Sequence, residues 1–351
     1  MDVPKKPIPV HLLSGFLGGG KTTLLKRLLE YYGSQEIKAA IIMNEIGDVN
    51  LDGQLVDGQV PMSEMLSGCI CCTIRGDLSM EIKALIDEHQ PEVILIESTG
   101  AANPLEIIDG VTEAALLVHI DLQSVTTVVD GPGLLEMSRK GRDRTFKLMQ
   151  EQIRCATHLV CNKADRLASE EIVEVEQLVR EWNASAPMIV TVQCVIPLER
   201  FGLSAPELQK DVFKSKPADS GERSCGSGLC CGHDHHEHDE HGDHMEGERP
   251  QGQLHVHESH DHVMVVTHYL NKPVDSHAFE ALLKRLPSEV YRAKGIVTFT
   301  DTPSRFLFQF AYREVEFIRI TPQAIVNDVA VFIGEHFSKS WLLDELRKLE
   351  S

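Results

Sequence analysis

Several short stretches of this 351-residue sequence hold residue types whose spacing suits chemistry. In Gly15-Phe16-Leu17-Gly18-Gly19-Gly20-Lys21-Thr22 the pattern is that of a loop that curls its backbone N–H groups around phosphate oxygens. Gly15, Gly18, Gly19 and Gly20 permit the curl, Lys21 would reach the outer phosphates, and the Thr22 hydroxyl would hold Mg²⁺. Thr23 follows in the first helical turn, whose dipole favours an anion. A second acid-bearing element is expected beside it. Val93-Ile94-Leu95-Ile96 reads as a buried strand ending on Glu97, followed by Ser98-Thr99-Gly100. Glu97 would orient a water on Mg²⁺, and the Gly100 amide would meet a γ-phosphate. Lys21, Thr22 and Glu97 are therefore the candidate catalytic set for phosphoryl transfer to water. No residue stands out as the group that positions the water, so slow intrinsic turnover, raised by a partner, is expected.

The base is addressed further along. Asn162-Lys163-Ala164-Asp165 follows an apolar run at Leu159 to Cys161. Asp165 can accept from guanine's ring N–H and exocyclic amine, Asn162 would address the carbonyl and ring-nitrogen edge, and Lys163 would cover the base. Adenine presents an acceptor where Asp165 needs a donor, leaving a charge unpaired. GTP is the expected nucleotide. A further base-contacting stretch is expected after Val192, around Gln193 and Cys194, and Asp130 is read as structural.

Sulfur and imidazole are concentrated in two places. Cys69, Cys71 and Cys72 lie within Gly68-Cys69-Ile70-Cys71-Cys72, between the phosphate loop and Glu97, where their thiolates would suit zinc. On an extended strand Cys69 and Cys71 share a face while Cys72 points away, so a turn or an outside ligand must complete a tetrahedral site. Farther on, His233, His235, His236, His238, His241 and His244 alternate with acids, after Cys225, Cys230 and Cys231 and before His255, His257, His260 and His262. Such a tract supplies weaker sites for zinc, nickel, cobalt or copper. His11, His89, His119, His158 and His336 are isolated and read as structural.

These residues need a frame. Strand candidates at Val10 to Leu13, Ala39 to Met43, Val93 to Ile96, Val125 to Val129, Leu159 to Cys161 and Met188 to Val192 alternate with helical patterns such as Leu24, Leu25, Leu28, Leu29, Tyr32. That alternation predicts an α/β fold, a P-loop NTPase domain with a mostly parallel, doubly wound sheet, over 1–213. Large apolar residues then nearly vanish over 214–253, an acidic, His- and Cys-rich linker expected to be flexible. Eleven acids against two arginines between Asp219 and Asp261 leave a local charge of −9 of the chain's −19. Residues 254–351 should form a small α+β domain, with strands at Val263 to Val266, Ile296 to Phe299, Phe306 to Tyr312, Val315 to Ile320 and Val329 to Ile333 and helices around Phe279 and Trp341. A net charge of −19 argues against nucleic acid and anionic membrane as partners. With no apolar run of membrane-spanning length and no signal-peptide core at the N-terminus, the expected location is the cytoplasm.

Taken together, the Gly15 to Thr23 loop, Asn44-Glu45-Ile46-Gly47-Asp48, the Gly68 to Cys72 motif, Glu97-Ser98-Thr99-Gly100, Asn162 to Asp165 and Val290-Tyr291-Arg292-Ala293-Lys294-Gly295 resemble the CobW family of metal-associated GTPases. That family includes zinc metallochaperones and metallocofactor-insertion proteins. The resemblance implies a GTPase that binds a transition metal at the Cys69 to Cys72 loop, zinc first and cobalt or nickel otherwise, and passes it to a client metalloprotein. It also makes Glu45 a candidate metal ligand, while Asp48 stands where the family usually has a second glutamate. Two alternatives stay open: a metal store whose histidine tract is the main binder, and a cobalt or nickel accessory for one metalloenzyme. Monomer and metal- or nucleotide-dependent dimer are equally compatible with the sequence. The guanine reading predicts that Asp165→Asn weakens GTP binding and improves that of xanthosine triphosphate. Competition titration showing unchanged guanine preference would reject it.

Overall fold

Leu12 and Leu13, adjacent in one strand, bury their side chains in separate clusters. Val93 and Leu95 likewise join one cluster while Ile94 and Ile96 join the other. A strand apolar on both sides belongs inside a parallel sheet covered by helices on both faces. The computed structural model describes residues 6–43, 62–64, 74–141, 144–198, 203, 263–322 and 326–351. The first sheet runs through β1 (Ile8–Ser14), β2 (Ala39–Met43), β3 (Met62–Glu64), β4 (Val93–Glu97), β5 (Ile120–Asp130), β6 (His158–Asn162) and β7 (Met188–Val190). Its order is β3-β2-β4-β1-β5-β6-β7, and every described pairing is parallel. The helices are α1 (Lys21–Ser34), α2 (Ile74–His89), α3 (Pro104–Leu117), α4 (Gly131–Lys140), α5 (Arg144–Arg154) and α6 (Ser169–Trp182). In α1 the predicted face of Leu24, Leu25, Leu28, Leu29 and Tyr32 is buried throughout.

Strand β5 begins at Ile120 rather than at the predicted Val125. Asp121 and Gln123 interrupt its apolar run, yet the backbone still pairs with Ile8 to Val10 of β1, with a bulge before His11. Conversely β7 stops at Val190, short of the predicted Val192. At the start of α3, Asn103 accepts from Leu105 N at 3.0 Å and Pro104 occupies the first turn, so the helix starts sharply after the Glu97 strand end.

A second, antiparallel sheet of order β11-β10-β9-β12-β8 follows: β8 (Val263–Tyr269), β9 (Val290–Thr298), β10 (Arg305–Ala311), β11 (Glu314–Ile320) and β12 (Val329–Glu335). Helices α7 (Ser276–Arg285) and α8 (Lys339–Leu349) cover one face over Phe279, Phe308, Phe310 and Phe332. Here β9 starts at Val290, not at the predicted Ile296, because the polar Arg292 and Lys294 within it face α3 instead of solvent. Tyr312, predicted to end the strand that begins at Phe306, is 96% exposed at the turn beyond β10.

The opposite face of β12 presents Val329, Val331 and Ile333 to the cluster that also holds Ile107, Ile108 and Val111 of α3. The two sheets thus share a core. Its polar edge is fixed by Tyr269, whose hydroxyl accepts from Ile120 N at 2.9 Å and has the Val118 and Ile120 carbonyls as acceptors, each at 2.9 Å. No helix of the described residues is long and apolar enough to cross a membrane.

His11, read as structural, is buried in β1 with Nδ1 at 2.8 Å from Ser124 Oγ. Burial, and secondarily His158, lowers its pKa from 6.5 to about 4. The folded protein therefore favours the neutral ring, and this stabilisation holds above pH 6.5 and is lost as the pH falls toward 4. The loss should reach roughly 3 kcal/mol by linkage. Urea unfolding across that window should show a shallower pH dependence for His11→Gln than for the parent.

Candidate functional site

The phosphate loop leaves β1 at Ser14 and is pressed against its neighbours at Gly15, Gly19 and Gly20 so closely that a Cβ there would collide. A Cβ on Gly15, whose φ is +129°, would stand 2.1 Å from Val128 O of β5. Gly18 and Gly19 continue the curl, and Gly20, at φ +117°, caps α1 without any side chain, so the first-turn N–H groups of the helix have no side-chain cap. Lys21 is buried, its Nζ donating to Gly15 O at 2.8 Å and Phe16 O at 3.2 Å, which bends the side chain back over the loop. Thr22 Oγ1 donates to Glu97 Oε1 at 2.8 Å, and Thr23 is exposed. A hydroxyl and a carboxylate in contact at the mouth of a phosphate loop form a hard-oxygen donor set of the kind Mg²⁺ takes.

Glu97 closes β4 and is 7% exposed. It lies in register with Leu13 of β1 and Met43 of β2. After it, Ser98 Oγ donates to Leu13 O at 3.1 Å, and Gly100 passes so near the phosphate loop that a Cβ would be 2.5 Å from Leu17 N. Gln152 of α5 donates to Gly100 O at 3.1 Å and to Ala102 O at 3.3 Å, holding this strand end from the far side. Sequence reasoning passed over Gln152; a buried amide inside an amphipathic helix was the available signal.

At the predicted base loop the residues divide. Asn162 is buried, with Nδ2 donating to Gly19 O at 2.9 Å and Oδ1 accepting from Cys194 N at 3.0 Å. The amide expected on the edge of the base is thus engaged on both atoms as a tie between the phosphate loop and the segment after β7, with a second Nδ2 proton remaining. Lys163, at φ +64°, pairs with Asp130 Oδ2 at 2.6 Å. Asp130 also accepts from Gly133 N at 3.3 Å as the cap of α4, so the residue read as structural both caps a helix and orients Lys163. Asp165 is exposed in a single 3-10 turn at Ala164–Arg166.

The stretch around Gln193 and Cys194 is tied in as well. Cys194 Sγ lies 3.4 Å from Gly20 O, and Arg27 Nε donates to Gln193 O at 2.9 Å. Burial raises the Cys194 thiol to about 11 and those of Cys155 and Cys161 to about 12, so these three remain protonated packing residues. Cys69, Cys71, Cys72, Glu45 and Asp48, and His233, His235, His236, His238, His241 and His244 with the rest of that tract, lie outside the described residues. Among the described residues no group of three or more His, Cys, Asp or Glu is placed to hold a metal ion. Glu64, the last residue of β3, is in register with Met43, which is in register with Glu97. Glu64 is the last described residue before the cysteine stretch, and α2 begins at Ile74, the first described residue after it.

A glycine-rich loop between the central strand of a parallel sheet and a helix, facing an acid at the end of the adjacent strand, defines a P-loop protein of the GTPase fold. Residues 9–190 match the family model of the CobW/HypB/UreG nucleotide-binding domain and residues 263–350 that of the cobalamin synthesis protein CobW C-terminal domain; the chain belongs to this family. It is 33% identical over 227 residues to the zinc-regulated GTPase metalloprotein activator 1 of Dictyostelium discoideum, covering 55% of this chain and 47% of that protein. The chain thus spans about half of that relative's length. With the zinc chaperone YjiA of Escherichia coli it shares 28% identity over 321 residues, 88% of this chain and 87% of that one. The solved structure of Zn(II)-bound YjiA GTPase from E. coli aligns over 99% of this chain and 100% of that chain at 23% identity, with a TM-score of 0.44.

The contact at Gly100 is backbone against backbone and cannot be relieved by a rotamer change. Gly100→Ala should therefore cost about 1 to 3 kcal/mol at the loop. That corresponds to roughly 5- to 150-fold weaker binding of a fluorescent GTP analogue. Unchanged affinity would show that the strand end yields freely.

Proposed function

We propose that this protein is a GTP-hydrolysing metallochaperone that holds zinc at Cys69, Cys71 and Cys72 and delivers it to a client protein as its nucleotide state changes. The observation that carries this reading is the Thr22 to Glu97 hydrogen bond of 2.8 Å, which joins the phosphate loop to the strand-end row that holds Glu64, the last described residue before the cysteine stretch. Guanine nucleotide is held by the loop amides of Gly15 to Gly20 on its phosphates, by Asp165 on its base and by Lys163, oriented by Asp130, over the ring. Lys21 exchanges its loop carbonyls for the outer phosphate oxygens and stabilises charge that develops there during attack by water. Thr22 would hold Mg²⁺ and Glu97 would orient a water on it, and the ion would supply charge neutralisation across the outer phosphates. The Gly100 amide, next to Leu17, is placed to feel whether a γ-phosphate is present, and its movement would be passed to α3 and Gln152.

Zinc is cargo in this scheme. Soft thiolates favour it over hard ions, and cobalt and nickel are the remaining candidates by the same chemistry. Glu45 is a candidate additional ligand. The histidine tract is assigned weaker, auxiliary sites, since an open chain must lose conformational entropy on binding. For the metal to be released by hydrolysis its affinity must differ between nucleotide states, and the coupling must be reciprocal. Zinc titration of the protein lacking 219–252, in apo, GDP-bound and GTP-analogue-bound forms, should show a difference of about 5- to 150-fold. Lys21→Ala should abolish GTP turnover. Equal zinc affinity in all states would defeat affinity switching, and loss of the tight site on deleting 219–252 would favour the storage reading.

A further inference from the structure

The turn that joins β4 to α3 is gripped from two sides. Thr99 accepts from Ala102 N at 3.1 Å through its carbonyl and from Ala101 N at 3.0 Å through Oγ1, which places Gly100 and Ala101 at the bend. On the phosphate-loop side Gly100 lies so close that a Cβ would stand 2.5 Å from Leu17 N. On the other side is Gln152, in the last turn of α5, with Nε2 donating to Gly100 O at 3.1 Å and to Ala102 O at 3.3 Å. One amide group thus directs both of its protons to carbonyls of a single turn.

The grip is built on a fixed support. Thr127 Oγ1 of β5 donates to Gln152 O at 2.7 Å, and Asn183 Nδ2 donates to Ile153 O at 2.8 Å and Ala156 O at 2.9 Å. The end of α5 is therefore held both by the sheet and by the residue that follows α6. Gln152 is 1% exposed, at the border of the buried face formed by Phe146, Met149 and Ile153. An aliphatic side chain would pack there without desolvating an amide, a cost that the two bonds to the turn offset. If Gly100 withdraws from Leu17, both bonds lengthen together in a site closed to solvent, and buried donors are left unpaired.

We propose that Gln152 is a positioning residue of the GTPase reaction: it holds the Gly100 peptide against the phosphate loop before nucleotide arrives, and so sets the preference for triphosphate over diphosphate. A diphosphate is held by the loop amides and the base contacts, whereas the γ-phosphate reaches Gly100. Without the grip the turn must be ordered as the γ-phosphate binds, and the triphosphate loses affinity by that ordering. Gln152 acts through Gly100 rather than on the phosphates. This inference rests on the reading that the Gly100 amide meets the γ-phosphate, and Gly100→Ala separates the two.

The test titrates the full chain, with Mg²⁺, with GDP and with the β,γ-imido analogue of GTP, each in competition with a fluorescent GDP. Gln152→Met keeps the length of the side chain without its donors, and should weaken the imido analogue about tenfold and GDP less than about twofold. Gln152→Glu, equal in size but with a carboxylate facing two carbonyls, should show the same split. A packing role alone would lower the melting temperature and weaken both nucleotides alike; that result, an unchanged ratio, or a ratio shifted toward the triphosphate would overturn the assignment. Loss of preference in Gly100→Ala with none in either Gln152 variant would overturn it and leave the γ-phosphate reading standing, while no loss in any of the three would remove both. Should neither Gln152 variant fold, the parent carrying nitrogen-15-labelled glutamine decides by NMR. The Gln152 side-chain amide protons should exchange slowly both without nucleotide and with the imido analogue bound, and rapid exchange in the bound form would overturn the grip.

Discussion

The phosphate loop can form only because three strand ends admit backbone where side chains would collide. Gly15 rests on Val128 O of β5, Gly20 on the Asn162 amide, and Gly100 on Leu17 N. These approaches bring the ends of β4, β5 and β6 to one loop, and the other polar contacts follow from that closeness. Thr22 reaches Glu97, Asn162 spans Gly19 and Cys194, and Gln152 holds the Gly100 carbonyl. A displacement of the loop would leave several buried polar groups unpaired at once, each at a cost of about 1 to 3 kcal/mol.

The same strand end leads away from the nucleotide site. Three residues after Gly100, Asn103 caps α3, and α3 shares its apolar face with β12 and its polar face with β9. Asp109 is the least exposed acid in that contact, and Arg292 is one of its partners. Breaking a fully buried pair costs about 3 to 5 kcal/mol. The cost here is reduced because Arg292 is partly open to water. Burial pulls the Lys294 ammonium down, while Glu113 and Asp109 of α3 hold it up. A helix that starts just after the Glu97 strand end and packs along its length on the second sheet is a direct mechanical link between them.

Periodicity was readable wherever burial was uniform. The α1 face, the β4 run and the inward Phe308 and Phe310 appear where the pattern put them, because a continuous apolar face has one place to go. Misreadings occur where polar residues are buried by partners distant in sequence. The early part of β5 and the Arg292 to Lys294 part of β9 read as non-strand, since Asp121, Gln123, Arg292 and Lys294 break the apolar pattern while their backbones keep pairing. Tyr312 fails for the opposite reason: alternation cannot foresee that the chain turns one residue earlier.

At the site, residue types and spacing alone determined the glycine-rich phosphate loop, the acid closing β4 and the Asn162 to Asp165 stretch, because each is a local motif with a local mechanism. Tertiary structure alone decided their partners. It set Lys21 back on its own loop, Asn162 between two loops instead of on a base edge alone, and Asp130 beneath Lys163. Hydrogen-bond partners more than a hundred residues apart depend on strand order, and β1 lies between β4 and β5 only because the crossovers put it there. A linear sequence specifies which groups can bond; the folded sheet determines which of them are near enough to do so.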